Sequence, residues 1–141
     1  MKIEVTREAL DAIRCAAAEA GEKEACGLLL GTHEQGRACI TQALETRNTH
    51  PTPHTHFEVE PKALIDAYRA EREGAPRVLG YFHSHPQGEA VPSETDQSMA
   101  PRDGRVWAIA SRSEVRFWKD KPEGFAPLDV EITDPEIGPG E

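Results

Sequence analysis

Two segments of the chain carry histidines spaced two apart with carboxylates nearby: HPTPHTHFEVE, residues 50–60, and GYFHSHPQGEAVPSETD, residues 80–96. On an extended strand a His-x-His pair sends both imidazoles to one face, because successive side chains alternate. Two imidazoles and one carboxylate make a three-ligand set for zinc, and a fourth position open to water marks a catalytic rather than a structural site. In the second segment His83 and His85 end an apolar strand, Pro86 stops the ladder, and Asp96 follows after ten intervening residues. A strand, a loop and a helix of that length can fold the carboxylate back toward the imidazoles. The first segment offers His50, His54 and His56 with Glu58 and Glu60, so on ligand types it competes. Pro51 and Pro53 place it in a loop, where ligands are not preorganised, and no turn ties a later carboxylate to it. Plain readings stand beside both. His83 and His85 also read as packed strand-end histidines, Ser93 and Asp96 as helix caps, and residues 50–56 as an exposed loop bordering a groove. Residue types alone do not decide between the two pairs.

The elements that must hold these groups follow from periodicity. KIEV reads as a strand, and TREALDAIRCAAAEAG as a helix with Thr6 as N-cap, Leu10, Ile13 and Ala17 on one face, and Gly21 as its stop. EACGLLLG is a short, nearly continuous apolar run and reads as a buried strand; HEQG is a hairpin turn into the strand RACITQALE. THPTPHT is loop, and FEVE a short strand. PKALIDAYRAERE is a helix with Pro61 at its first position and Leu64, Ile65 and Tyr68 sharing a face. RVLGYFHSH is an apolar strand, PQGEAVP a loop, and SETDQSMA a helix start with Ser93 and Asp96 in capping-box spacing. VWAIAS, VRFWK and LDVEIT are strands, and the aromatics Tyr81, Trp107, Phe117 and Trp118 on these strands read as packing. The order implies an α/β protein of the α+β type: one mixed sheet flanked by helices, a single domain over 1–132, and a loose tail over 133–141.

Bulk properties narrow the function. With 25 acidic against 16 basic residues the net charge is −9, a poor match to non-specific nucleic-acid binding, which runs on Lys and Arg against phosphate. No apolar run reaches membrane-spanning length, and the N-terminal stretch is amphipathic and charged, unlike a signal peptide. Cys15, Cys26 and Cys39 are an odd number without CxxC spacing, so a reducing cytoplasm is the simplest home. Cys26 lies inside an apolar run and reads as core filling, not as a nucleophile. Exposed sheet edges suit a homodimer.

The pattern His83-x-His85-Pro86 followed by Ser93-x-x-Asp96 resembles the signature of the JAMM (MPN+, JAB-domain) zinc metalloproteases. The resemblance runs over roughly residues 2 to 132: a first helix, a Gly-Leu-rich strand preceded by Glu24, a FEVEP segment leading into a middle helix, and VRFWK after the third. It implies a largely antiparallel, cytidine-deaminase-like MPN/JAB sheet. It implies one zinc per chain on His83, His85 and Asp96, with Glu24 as the base that takes a proton from water and Ser93 as a donor to the oxyanion. Glu24 owes its selection to this resemblance; beside Glu22 it otherwise reads as solvated charge. The family cleaves amide bonds at the Gly-Gly end of ubiquitin-fold proteins. The short SMAPRDGRVWAIAS connection is similar to the compact prokaryotic branch, whose members process ubiquitin-like sulfur carriers. The alternative is a non-catalytic MPN-type scaffold that binds partners and has lost the metal. The complete set of Glu24, His83, His85, Ser93 and Asp96 argues against it. A cupin-like barrel on His54 and His56 would need a later histidine, and none follows His85.

Overall fold

The computed structural model describes residues 2–134. In chain order the elements are β1 (Lys2–Thr6), α1 (Arg7–Ala20), β2 (Cys26–Glu34), β3 (Arg37–Thr46), α2 (Pro61–Arg72), β4 (Arg77–Ser84), α3 (Glu94–Met99), β5 (Val106–Ala110), β6 (Val115–Lys121), β7 (Gly124–Pro127) and β8 (Asp129–Thr133). The strands form one eight-stranded sheet in the order β7-β6-β5-β4-β2-β3-β1-β8. Its pairings β2–β3, β2–β4, β5–β6 and β6–β7 are antiparallel, and β1–β3, β1–β8 and β4–β5 are parallel. The edge strands β7 and β8 are consecutive in the chain with only Leu128 between them. Opposite edges joined by one residue require the sheet to curl upon itself.

α1 starts because the Thr6 hydroxyl accepts the Ala9 N–H, and it stops at Gly21, whose φ of 62° a residue with a Cβ resists. Ala9, Leu10, Ile13 and Ala16 recur at helical spacing and are buried against Val5, Leu29, Ile40, Phe82 and Ala108 on one face of the sheet. Each fully buried valine, leucine, isoleucine or phenylalanine among them contributes about 1.5–3 kcal/mol. Leu28 and Leu30 of the same β2 run turn to the other face, beneath Leu64, Ala67 and Tyr68 of α2. The continuous apolar run of CGLLLG is thereby explained: β2 lies in mid-sheet and is covered on both faces. β4 meets β5 closely at Gly80, where a Cβ would overlap the Val106 carbonyl oxygen.

One expectation is corrected, and one strand is added. FEVE forms no strand; the segment is held by a single bridge, Asn48 to Val59, because Pro61 and the preceding loop leave too little extended chain to pair. GFAP, to which no structure was assigned, is β7, an edge strand pairing Phe125 with Asp120. Its Pro127 lies at the last position, where the missing N–H is tolerated at an edge. Of the tail expected over 133–141, Thr133 closes β8 and Asp134 meets Arg7 at 2.8 Å; residues from 135 onward lie outside the described residues.

Candidate metal centre

β4 ends at the site. Tyr81 and His83 share the face covered by α2, while Phe82 and Ser84 point to the α1 side. His83, His85 and Asp96 are buried, at 0%, 9% and 4% exposure. His83 Nε2 and His85 Nε2 are 3.1 Å apart, and Asp96 Oδ2 lies 3.1 Å from the first and 3.0 Å from the second. A tetrahedral zinc with ligand bonds of about 2.0–2.2 Å would space its ligand atoms about 3.3 Å apart, so the triangle is close to the size that ion needs. Tautomer chemistry agrees. His85 Nδ1 lies 2.7 Å from the Glu89 carbonyl oxygen, which can only accept, so Nδ1 carries the proton and Nε2 presents a lone pair. That lone pair faces a carboxylate oxygen. Converging acceptors call for a cation, and the Glu89 carbonyl gives His85 the usual support of a ligating histidine, while His83 Nδ1 is buried without a hydrogen-bond partner.

Asp96 reaches the triangle because α3 starts there. Ser93 Oγ accepts the Asp96 N–H at 3.0 Å, and Asp96 Oδ2 accepts the Ser93 N–H at 3.0 Å, the expected capping box. The cap and the site share one carboxylate. Burial alone would raise its pKa, but the two facing imidazoles, which favour the carboxylate whenever they carry the extra proton, and the Ser93 N–H hold it well below the usual carboxylate range. Burial pushes His83 away from its charged form. For His85 burial acts the same way, yet Asp96 and the Glu89 carbonyl outweigh it and the net shift is upward.

Glu24 lies in the stretch between α1 and β2 and is buried, at 7% exposure. Burial is the main reason its carboxyl is raised to about 7; nearby His85 pulls it down and Asp96 pushes it up. Its Oε1 is buried without a hydrogen-bond partner. The backbone around it is fastened by two segments. The Glu24 N–H donates to the Pro53 carbonyl at 2.8 Å, and the Asn48 side-chain amide donates to the Glu24 carbonyl at 3.0 Å and to the His56 carbonyl at 2.9 Å. From the other side, Ser84 Oγ accepts the Ala25 N–H at 2.8 Å.

Among the described residues, His83, His85 and Asp96 are the one group of three metal-capable side chains that converges. His54 is exposed, and the His50 and His56 rings stack on each other at 4.6 Å, each with its Nδ1 on Thr52. The loop of the first histidine pair thus braces Glu24 through Pro53. Phe57 stacks on His83 at 4.2 Å, and Trp107 meets the same imidazole edge-on at 5.6 Å. Trp107 reads from the sequence as packing, and residue types single out none of Phe57, Asn48 and Ser84 for the site. The available signal was adjacency: Asn48 and Phe57 flank the Pro-rich loop, and Ser84 separates the two histidines. Cys26 is buried, its thiol within 3.6 Å of the Arg47 carbonyl, and burial pushes it up to about 11, which suits packing and not attack.

A family model described as prokaryotic homologs of the JAB domain matches residues 6–121. The chain belongs to that family. Within it, this JAB-domain chain is 31% identical over 88 residues to a desampylase of Haloferax volcanii, covering 62% of each chain. It is 37% identical over 93 residues to the Thermus thermophilus protein named "Probable TtuB-protein conjugate cleaving protease", covering 65% of this chain and 59% of that one. The match spans about three-fifths of the length of these curated relatives. A solution structure of a Desulfitobacterium hafniense protein superposes with a TM-score of 0.84 at 25% identity, covering 96% of this JAB-domain chain and 94% of the other. Among the described residues no helix is long and apolar enough to cross a membrane.

Proposed function

We propose that the protein is a zinc peptidase or isopeptidase that hydrolyses the amide bond following the Gly-Gly end of ubiquitin-like or sulfur carrier proteins. The observation that carries the reading is the convergence of three buried ligand atoms, His83 Nε2, His85 Nε2 and Asp96 Oδ2, at 3.0–3.1 Å beside a buried carboxylate, Glu24. Two relatives support it by name, one as a desampylase and one as a conjugate-cleaving protease.

His83, His85 and Asp96 would hold one zinc per chain, which when bound supplies Lewis acidity that acidifies water and polarises a carbonyl. Glu24 Oε1, buried and without another partner, would take the proton from the attacking water and deliver it to the leaving amine. Its displaced pKa suits that exchange, since a base works best near the operating pH. Ser93 Oγ already accepts the Asp96 N–H, which leaves its own hydrogen free to donate to the developing oxyanion. Beside Glu24 runs a groove of about 740 Å³, bordered by Asn48, Pro53, Glu60 and Ala63. A Gly-Gly tail suits the reaction, because chain without side chains can pass close to the reacting atoms. Cys15, Cys26 and Cys39 are unpaired, in keeping with a reducing cytoplasm, and the edges β7 and β8 are open to a second copy.

Zinc content of purified variants tests the choice of site. Wild type is expected to hold about one equivalent, and His83→Ala or His85→Ala to lose it. Full zinc in both, with loss only in His54→Ala and His56→Ala, would move the centre to the other histidine pair.

A further inference from the structure

α3 is asked to place Asp96 within a fraction of an ångström, yet it has six residues. A helix that short is not stable by itself in water, because nucleation costs more than so few hydrogen bonds return. Its N-terminal turn is held by the capping box. That box uses the same Asp96 Oδ2 that faces the imidazoles, so it cannot define the position of Asp96 independently of the site. Something must hold the other end.

The chain leaves α3 through Ala100 and Pro101 and reaches Arg102, which sits at φ 58° in the left-handed region. A non-glycine residue there carries a strain of about 1 kcal/mol or more and persists only when its surroundings fix it. Those surroundings are specific. The Arg102 N–H donates to Asp120 Oδ2 at 2.8 Å, and its guanidinium donates to Asp120 Oδ1 at 3.2 Å and to the Gln97 carbonyl of α3 at 2.9 Å. Asp120 has no exposed surface, and a buried carboxylate is tolerated only when both oxygens are satisfied, as Arg102 satisfies them. The loop is closed on β6 by two further bonds, Gly104 N–H to the Asp120 carbonyl at 2.8 Å and Asp120 N–H to the Arg105 carbonyl at 2.9 Å. The guanidinium also lies 5.2 Å over the Phe125 ring, Phe125 meets Trp107 at 5.0 Å, and Trp107 meets His83 at 5.6 Å.

We propose that Arg102, locked on Asp120, is a positioning residue for the site: it clamps the C-terminal turn of α3 to β6 and so fixes the Asp96 carboxylate opposite the two imidazoles. A second path of contacts, through Phe125 and Trp107, braces the His83 ring from the same guanidinium. The proposal rests on reading His83, His85 and Asp96 as a metal centre. It requires that Arg102 act on the geometry of the ligand set and not only on the stability of the fold. Arginine suits the task because one planar fork serves a carboxylate and a carbonyl together; lysine has a single ammonium to divide between them.

The test is a cobalt(II) titration followed by visible absorption, with unfolding of the metal-free protein followed by circular dichroism, on wild type, Arg102→Ala, Arg102→Lys and Asp120→Asn. Arg102→Ala is expected to weaken cobalt binding about 10-fold or more, the scale of lost supporting contacts to a ligand, and to alter the d–d bands that report ligand geometry. Arg102→Lys should recover part of the affinity, and Asp120→Asn should follow Arg102→Ala. Affinity and bands unchanged in Arg102→Ala would overturn the proposal, whatever happens to its melting temperature. Should Arg102→Ala not fold, unchanged affinity and bands in Arg102→Lys and Asp120→Asn would overturn it equally. Wild type that binds no cobalt would refute the metal reading itself, a result distinct from wild type that binds and variants that bind as well.

Discussion

At the scale of single residues the decisive feature is Glu24, a carboxylate buried with one oxygen unpartnered and its pKa raised to about 7. Replacing it with glutamine would remove the proposed base and leave the three ligand atoms in place. Glu24→Gln is therefore expected to keep full zinc and to lose activity by about 10²–10⁴-fold, read by steady-state kinetics beside metal analysis. The raised pKa has a second consequence. A carboxyl whose folded value exceeds its unfolded value stabilises the fold fully below about pH 4.5, and that contribution is lost as pH rises through about 7. In metal-free protein at pH 8, Glu24→Gln should then be more stable than wild type by on the order of 1–3 kcal/mol, with no gain at pH 4, as urea unfolding would measure. His85 is displaced upward, so protons should begin to compete with the metal above the ordinary imidazole value of about 6.5. Of these residues, spacing made His83, His85 and Asp96 one of two candidate sets, and the resemblance to a known family, not spacing, chose between them. Glu24 was not readable by spacing, because the chemistry of a carboxylate depends on burial, and burial is decided by Pro53, Asn48 and Ser84 from distant parts of the chain.

At the scale of elements, the site is an intersection of β4, α3 and the stretch before β2, with the 47–60 connection fastened across it. Asn48 makes four hydrogen bonds: its amide to the Glu24 and His56 carbonyls, and its Oδ1 from the His50 and Glu58 N–H groups. Asn48→Ala removes all four, and an expected loss of about 1–3 kcal/mol in urea unfolding should come with a fall of at least tenfold in kcat/KM as Glu24 loosens. A stability loss with unchanged kinetics would mean that the strap does not set the Glu24 position. The helices and central strands were legible because they obey a period: Leu10 and Ile13 on α1, the apolar run of β2, the apolar β4 ending at two histidines. FEVE and GFAP were not. Both are too short for alternation to speak, and each is decided by what lies beside it: the single Asn48–Val59 bridge in one case, the edge of β6 in the other.

At the scale of the whole molecule, the curl of the sheet brings together residues that lie far apart in the chain, with α1 on one face and α2 on the other. Long-range pairing of this kind cannot be read from local pattern: the mixed sheet is legible in the sequence, its curl is not. The surface, at a net charge of −9, suits neutral or basic partners better than acidic ones. One measurement reaches the central claim most directly: incubation of the zinc-loaded protein with a ubiquitin-like carrier of the source organism, extended by several residues past Gly-Gly, read by intact mass. The account predicts a product ending at the second glycine in wild type and none in Glu24→Gln. An extended carrier that stays intact with wild type, or that Glu24→Gln trims as fast, would contradict it.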